Sequence, residues 1–372
     1  MATCHQRKWQ INWLFCILAK IYFVQLDFWE QQLPFEYPFT ISNGRTKTHQ
    51  SSLMIRLSLG NWVGHGEAPA IVYYNVTVAG MMEQLEKQRK LIEKFALIDP
   101  ERFWHFLHHL FPQDPFLVCA LDMAGWDLFG QMKKQPLHEM WGTTWGENTL
   151  QPICDYTLGI DSIDKMVEKM KAHPWPIYKI KVGTEYDIEM ITALRQHTKA
   201  PLRVDANAGW TTEEALLKIP ALAKLGVELV EQPLAKDNWE GMKQLKNQAA
   251  LPLFADESCV LEKDVANCAS YFDGINIKLT KCSGLTPALR MIKEAKSLGL
   301  KVMMGSMNES VIGSAAIAQF LPQLDYVDMD GPLLMTELNG VGLNYSAENI
   351  HGKIAPLVNP GLGVQYRPPF KK

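Results

Sequence analysis

Between residues 151 and 330, short apolar runs alternate with segments whose apolar positions recur every three to four residues. Short runs bounded by turn residues read as buried strands, and the longer periodic segments read as amphipathic helices. The predicted strands cover residues 152–156, 177–182, 202–205, 229–231, 253–256, 274–278, 301–304 and 326–329. Eight strands repeating about every 25 residues, each followed by a helical crossover, predict an α/β chain whose parallel strands close into a TIM-type (β/α) barrel. Ahead of this region the rhythm differs. Strands at 21–24 and 52–57, joined through a polar loop at 42–48, precede helical periodicity at 76–96, 100–110 and 115–132. Strands first and helices afterwards predict a separate, smaller α+β domain.

Charged residues fall on this frame at regular places. Lys179 and Lys181 stand two apart on the second barrel strand and therefore share a face. Side by side and partly buried, two ammonium groups repel, so at least one is expected to have a lowered pKa and to serve as a base near neutral pH. Asp205, Glu231 and Asp256 close strands three, four and five at spacings of 26 and 25 residues. One such aspartate reads as a helix N-cap after a strand. Three at matched spacing aim carboxylates at one point, and a hard divalent ion, Mg2+ before Mn2+, suits an all-oxygen set. Lys278 closes strand six, which lies across a closed barrel from strand two. Lys281, three residues on, reads as a surface charge at a helix start. Asn207 and Gln232 directly follow two of the carboxylate strands and read as groups that orient the site.

Composition narrows the partners. The 37 basic and 40 acidic residues leave a net charge of −3 with no basic stripe, which argues against nucleic acid and for a small substrate. Seven scattered cysteines without a CxxC pair fit reduced thiols in a cytoplasmic protein. Arg7 and Lys8 ahead of the apolar run at 11–19 imitate a secretory leader without a small-x-small cleavage site, so residues 1–19 read as an N-terminal extension. No stretch approaches the length needed to span a membrane.

Lys179-x-Lys181, the trio Asp205, Glu231 and Asp256, and Lys278 within Asn276-Ile277-Lys278-Leu279-Thr280-Lys281-Cys282-Ser283-Gly284 together resemble the muconate-lactonizing subgroup of the enolase superfamily. Trp126-Asp127-Leu128-Phe129-Gly130, followed by Pro136 and Gly142, resembles the helix that leads into that family's barrel. The resemblance implies an enolase-like arrangement: a capping domain at 20–142, the barrel at 143–340, and a C-terminal segment at 341–372 packing back on the capping domain. It implies Mg2+ on the three carboxylates, Lys181 and Lys278 as an acid/base pair across an enolate, and Lys179 as the cation that lowers the Lys181 pKa. Homo-oligomeric assembly is common in this family.

Asp328-x-Asp330, at the end of strand eight, resembles the pair with which the family's dipeptide epimerases hold a substrate ammonium group; Asp325 beside it reads as a surface residue. Arg45 resembles the loop arginine that pairs with an acidic side chain in L-Ala-D/L-Glu epimerases, and Thr157 at the end of strand one is expected to touch substrate. Met303, Met304 and Met307 are candidates to shape the pocket. Such an activity would belong to murein-peptide breakdown. Branches with a histidine base after strand seven are disfavoured, because no histidine lies between residues 200 and 350. Muconate cycloisomerase and o-succinylbenzoate synthase share the lysines and carboxylates but leave Asp328 and Asp330 unexplained. A non-catalytic carboxylate-binding barrel would need neither opposed lysine.

Overall fold

A computed structural model describes residues 23–40, 46–144, 151–338, 340–343, 345 and 359–366. An antiparallel sheet comes first, with β1 (Gln25–Thr40), β2 (Thr46–Leu59) and β3 (Trp62–Pro69) in that order. Alternation along β2 serves two cores at once: Leu53, Ile55 and Leu57 enter a core within the small domain, while Met54 joins the barrel's core. Only β2 coincides with an expected strand. The 21–24 prediction stops short of β1, which runs past Gln31-Gln32 and Pro34, and β3 was not expected at all. Gly64 and Gly66 weaken its strand signal for a packing reason: a Cβ on Gly66 would stand 1.9 Å from Ala120 O.

Four helices follow: α1 (Val78–Glu93), α2 (Pro100–Leu110), α3 (Pro115–Lys133) and the short α4 (Leu137–Met140). Thr77, Asp99 and Asp114 cap the first three by accepting from Gly80 N, Glu101 N and Leu117 N. Proline opens α2 and α3, where its missing N–H costs nothing. Helix α3 is apolar nearly all round because it is wedged between two partners. Leu117, Ala120 and Leu128 face the small domain's core, and Cys119 and Met123 face the barrel's.

The barrel strands are β4 (Tyr156–Leu158), β5 (Tyr178–Lys181), β6 (Leu202–Asp205), β7 (Val227–Glu231), β8 (Leu253–Ala255), β9 (Gly274–Ile277), β10 (Lys301–Gly305) and β11 (Tyr326–Asp328). All neighbours are parallel and in chain order, and one further bridge, Cys154 with Val327, joins the first strand's approach to the last strand. Between successive strands run α5 (Ile163–Ala172), α6 (Asp187–Arg195), α7 (Thr212–Lys224), α8 (Trp239–Gln248), α9 (Val265–Cys268), α10 (Leu285–Ser297) and α11 (Val311–Ala318). Ile180, Val204, Val230, Ile275, Val302 and Val327 point out to these helices and make the main core. Inside, Leu229, Phe254 and Met303 pack with Tyr326 as an apolar plug below the charged upper level.

Beyond the barrel, β12 (Gly340–Val341) pairs with β13 (Gln365–Tyr366), and Tyr366 stacks on Trp29 of the small domain. Among the described residues no helix is long and apolar enough to cross a membrane.

Candidate active site

Asp205 ends β6, Glu231 ends β7, and Asp256 follows β8. Lys181 pairs with Asp205 and Asp205 with Glu231 in the sheet register, so these three side chains leave the barrel at one level. One carboxylate oxygen from each of Asp205, Glu231 and Asp256 lies within 4.8 Å of the others, all buried. The surrounding groups hold this convergence. Gln232 Oε1 accepts from Asp256 N (3.0 Å) and Ser258 N (3.1 Å). Asn276 Nδ2 donates to Glu231 Oε1 at 2.7 Å, in room left by Gly305, whose Cβ would stand 2.6 Å from that amide. Asn207 N donates to Asp205 Oδ1 at 2.9 Å. Asn207 and Gln232 both have left-handed backbones (φ 44° and 35°), which turns the chain sharply after each strand.

Four ammonium groups reach the same carboxylates. Lys181 Nζ stands 2.6 Å from Asp205 Oδ2, and Lys278 Nζ stands 2.8 Å from Asp256 Oδ2. Lys179 Nζ is wholly enclosed, 2.7 Å from Asp328, 2.8 Å from Glu231 and 3.1 Å from Asp205. Lys281 is not the surface charge its position suggested. It is 1% exposed and donates to Asp256 O at 2.5 Å and to the Asp256 carboxylate. The turn that brings Lys281 N to Lys278 O folds it under strand five.

Charge balance sets the state of these groups. Burial alone would lower the Lys179 pKa, but Asp328, Glu231 and Asp205 outweigh it and raise it well above the ordinary value. Lys278 moves the same way, its burial outweighed by Asp256 and Glu231. Lys179 is thus a fixed cation among carboxylates. Asp205 and Asp256 go down despite burial, held by Lys181 and Lys179 and by Lys278 and Lys281 respectively. Burial and Asp205 push Glu231 up to about 7. Glu231 Oε2, though near Lys179, accepts no directed hydrogen bond.

Above this level opens a cavity of about 540 Å3 bordered by Lys181, Lys278, Asp328, Asp330 and Thr157. Asp330 Oδ2 accepts from Thr157 N at 2.6 Å, and burial beside Asp328 pushes its carboxyl up to about 7. Asp328 goes down, because Lys179 outweighs its burial. Asp325 pairs with Lys301 away from the cavity. Phe39, Lys47, Val72, Tyr73 and Tyr74 bring the small domain to the rim, so the cavity is roofed largely by apolar groups. Met307 borders it, whereas Met303 is buried in the plug inside the barrel and Met304 in the core outside it. Arg45 and the 1–19 extension lie outside the described residues.

Sequence reasoning misplaced Lys281 and passed over Lys47 and Glu257. Glu257 also borders the cavity, and burial beside Asp256 and Asp205 pushes it up to about 8. Strand alternation would send Glu257 to the opposite face from Asp256, but β8 ends at Ala255 and the alternation ends with it.

Comparisons with known proteins bear on this arrangement. Residues 162–369 match a family model described as enolase C-terminal domain-like. An L-Ala-D/L-amino acid epimerase of Flavobacterium johnsoniae is 51% identical over 308 residues, covering 83% of this chain and 90% of that protein. An L-Ala-D/L-Glu epimerase of Bacteroides thetaiotaomicron is 34% identical over 347 residues, 92% of this chain and 88% of that one. The dipeptide epimerase from Enterococcus faecalis, solved with Mg and the dipeptide L-Leu-L-Tyr, superposes with a TM-score of 0.84 at 29% identity, covering 93% of this chain and all of the other.

Proposed function

The chain belongs to the enolase superfamily and, within it, to the dipeptide epimerases, and from that premise we propose that it inverts the α-carbon of a dipeptide's C-terminal residue by proton transfer between Lys181 and Lys278. The observation that carries this reading is the opposition of those two lysines. Lys181 ends the second of eight strands and Lys278 directly follows the sixth, each against an outer member of the same carboxylate trio, and both border the cavity. The substrate α-carbon can lose its proton to one lysine, and the planar enolate so formed can take a proton from the other on the opposite face, which inverts the centre.

Asp205, Glu231 and Asp256 are assigned as ligands of Mg2+. The all-carboxylate donor set and the undirected Glu231 Oε2 fit a hard cation, and Mg accompanies the dipeptide in the E. faecalis relative. When bound, the ion supplies positive charge against which negative charge on the substrate carboxylate develops. Lys179 ties Asp205, Glu231 and Asp328 together and adds fixed positive charge beneath them. Asp328 and Asp330, which both border the cavity, are assigned to the substrate's N-terminal ammonium group. That pairing favours a dipeptide over the substrates of cycloisomerases, which lack the ammonium group.

For the substrate, the reading is a dipeptide beginning with L-Ala, with L-Ala-D/L-Glu among those accepted. Support comes from the relatives named for L-Ala dipeptides and from Lys47, a cation at the otherwise apolar rim. Proton NMR in D2O with Mg2+ and a panel of L-Ala-L-Xaa dipeptides tests it. Deuterium should enter the C-terminal α-position as the diastereomer appears. Absence of exchange in every dipeptide, with Mg2+ bound, would reject the epimerase assignment for this site.

A further inference from the structure

Beside the trio stands a carboxylate that the chemistry above does not use. Glu257 follows Asp256 just past β8, and Asn207 lies two residues beyond Asp205, past the end of β6. Their loops flank the strand that carries Glu231, and Asn207 Nδ2 reaches across to Glu257 Oε1 at 3.4 Å. The remaining two oxygens, Glu257 Oε2 and Asn207 Oδ1, are shielded from solvent and accept no hydrogen bond from the described residues. Buried acceptors without a donor are uncommon, and each asks for a water or an ion to account for it. Here two occur on bonded neighbours. One is attached through its backbone N–H to Asp205, and the other is next in the chain to Asp256.

The chemistry of a hard dication explains the pair. Mg2+ gives up its water reluctantly and keeps several molecules of it beside protein carboxylates. Water bound to a dication is a strong hydrogen-bond donor, so it needs acceptors. Asp205 and Asp256 are already engaged with lysines. We infer that Glu257 and Asn207 accept hydrogens from water on the ion held by Asp205, Glu231 and Asp256, and thereby set how tightly that ion is held. The inference rests on the metal assignment above.

Calorimetric titration of the purified full chain with Mg2+ tests both, separately. The wild type should bind; if it does not, the metal assignment itself falls. Glu257→Gln and Asn207→Gly should each weaken binding about 10- to 100-fold, the range seen when groups supporting metal ligands are removed. Glycine is chosen at 207 because the backbone there is left-handed. Glu257→Asp keeps the charge but shortens the reach, and it should also bind less tightly.

Wild-type affinity in Glu257→Gln, within about twofold, overturns the inference and leaves the metal assignment standing. So does wild-type affinity in Glu257→Asp, which would reduce the effect to charge alone. If Mg2+ affinity is unchanged while the KM for L-Ala-L-Lys rises in Glu257→Gln, the side chain serves a substrate cation instead.

Discussion

Lys181 and Lys278 each rest on a carboxylate of the trio but on different ones, and that asymmetry gives the two-lysine reading its sharpest consequence. Removing one lysine should stop inversion while leaving the other able to exchange the proton on its own side. Lys278→Gln should therefore lose epimerisation by at least about 10^2- to 10^4-fold, yet still introduce deuterium into one diastereomer of the dipeptide. Lys181→Gln should show the opposite preference, read from the same NMR spectra. Equal exchange of both diastereomers in either variant would mean one base serves both faces. Much of this arrangement was legible in the sequence, because βα spacing puts Asp205, Glu231, Asp256 and Lys278 at strand ends whatever the loops do. Lys281 and Glu257 were not legible. Each sits in a turn beyond its strand, where alternation no longer tells which way a side chain goes.

Among the elements, α2, α3 and β3 hold the barrel loops that carry the site. Asp122 on α3 accepts from Thr286 N at 3.0 Å and Thr286 Oγ1 at 2.8 Å, and Trp104 Nε1 donates to Ser283 O at 2.9 Å. These contacts fix the turn between Lys278 and α10. Glu67 on β3 accepts from Ser310 N, Ser310 Oγ (2.6 Å) and Gly313 N (3.2 Å) at the start of α11. Burial raises the Asp122 carboxyl from its ordinary 3.8 to about 7 despite the Thr286 bonds. Its contribution to stability is therefore full below the unfolded value and lost as pH rises through about 7. Asp122→Asn accepts from one oxygen and carries no proton to lose, so its melting temperature relative to wild type should improve between pH 4 and 8. A constant difference across that range would show that Asp122 does not titrate there. Helices with Asp-Pro starts were readable from sequence. Strands β1 and β3 were not, since glutamines, prolines and glycines there answer to packing across the sheet rather than to strand propensity.

For the whole molecule, an ion that binds only the folded chain must stabilise it. At about a hundredfold excess over its dissociation constant, Mg2+ should add ~2.7 kcal/mol. For a chain of this size that corresponds to a rise of about 3 °C in melting temperature. A scanning experiment with and without the ion checks this, and EDTA should reverse it. The ring itself is unevenly fastened. Among the described residues, the approach to its first strand meets its last strand through one backbone bridge, Cys154 with Val327. Side chains supply what the backbone does not: Lys179 reaches Asp328, Thr157 N reaches Asp330, and Arg203 reaches both Asp155 (2.8 Å) and Val327 O (3.3 Å). Residues assigned to the substrate thus double as the stitches of the seam. Working residues commonly burden the fold that carries them, so that disabling one makes the protein hardier. Here the trade runs the other way: a lineage that abandoned this chemistry could not simply discard Asp328 and Asp330, because the barrel would begin to part where it was closed.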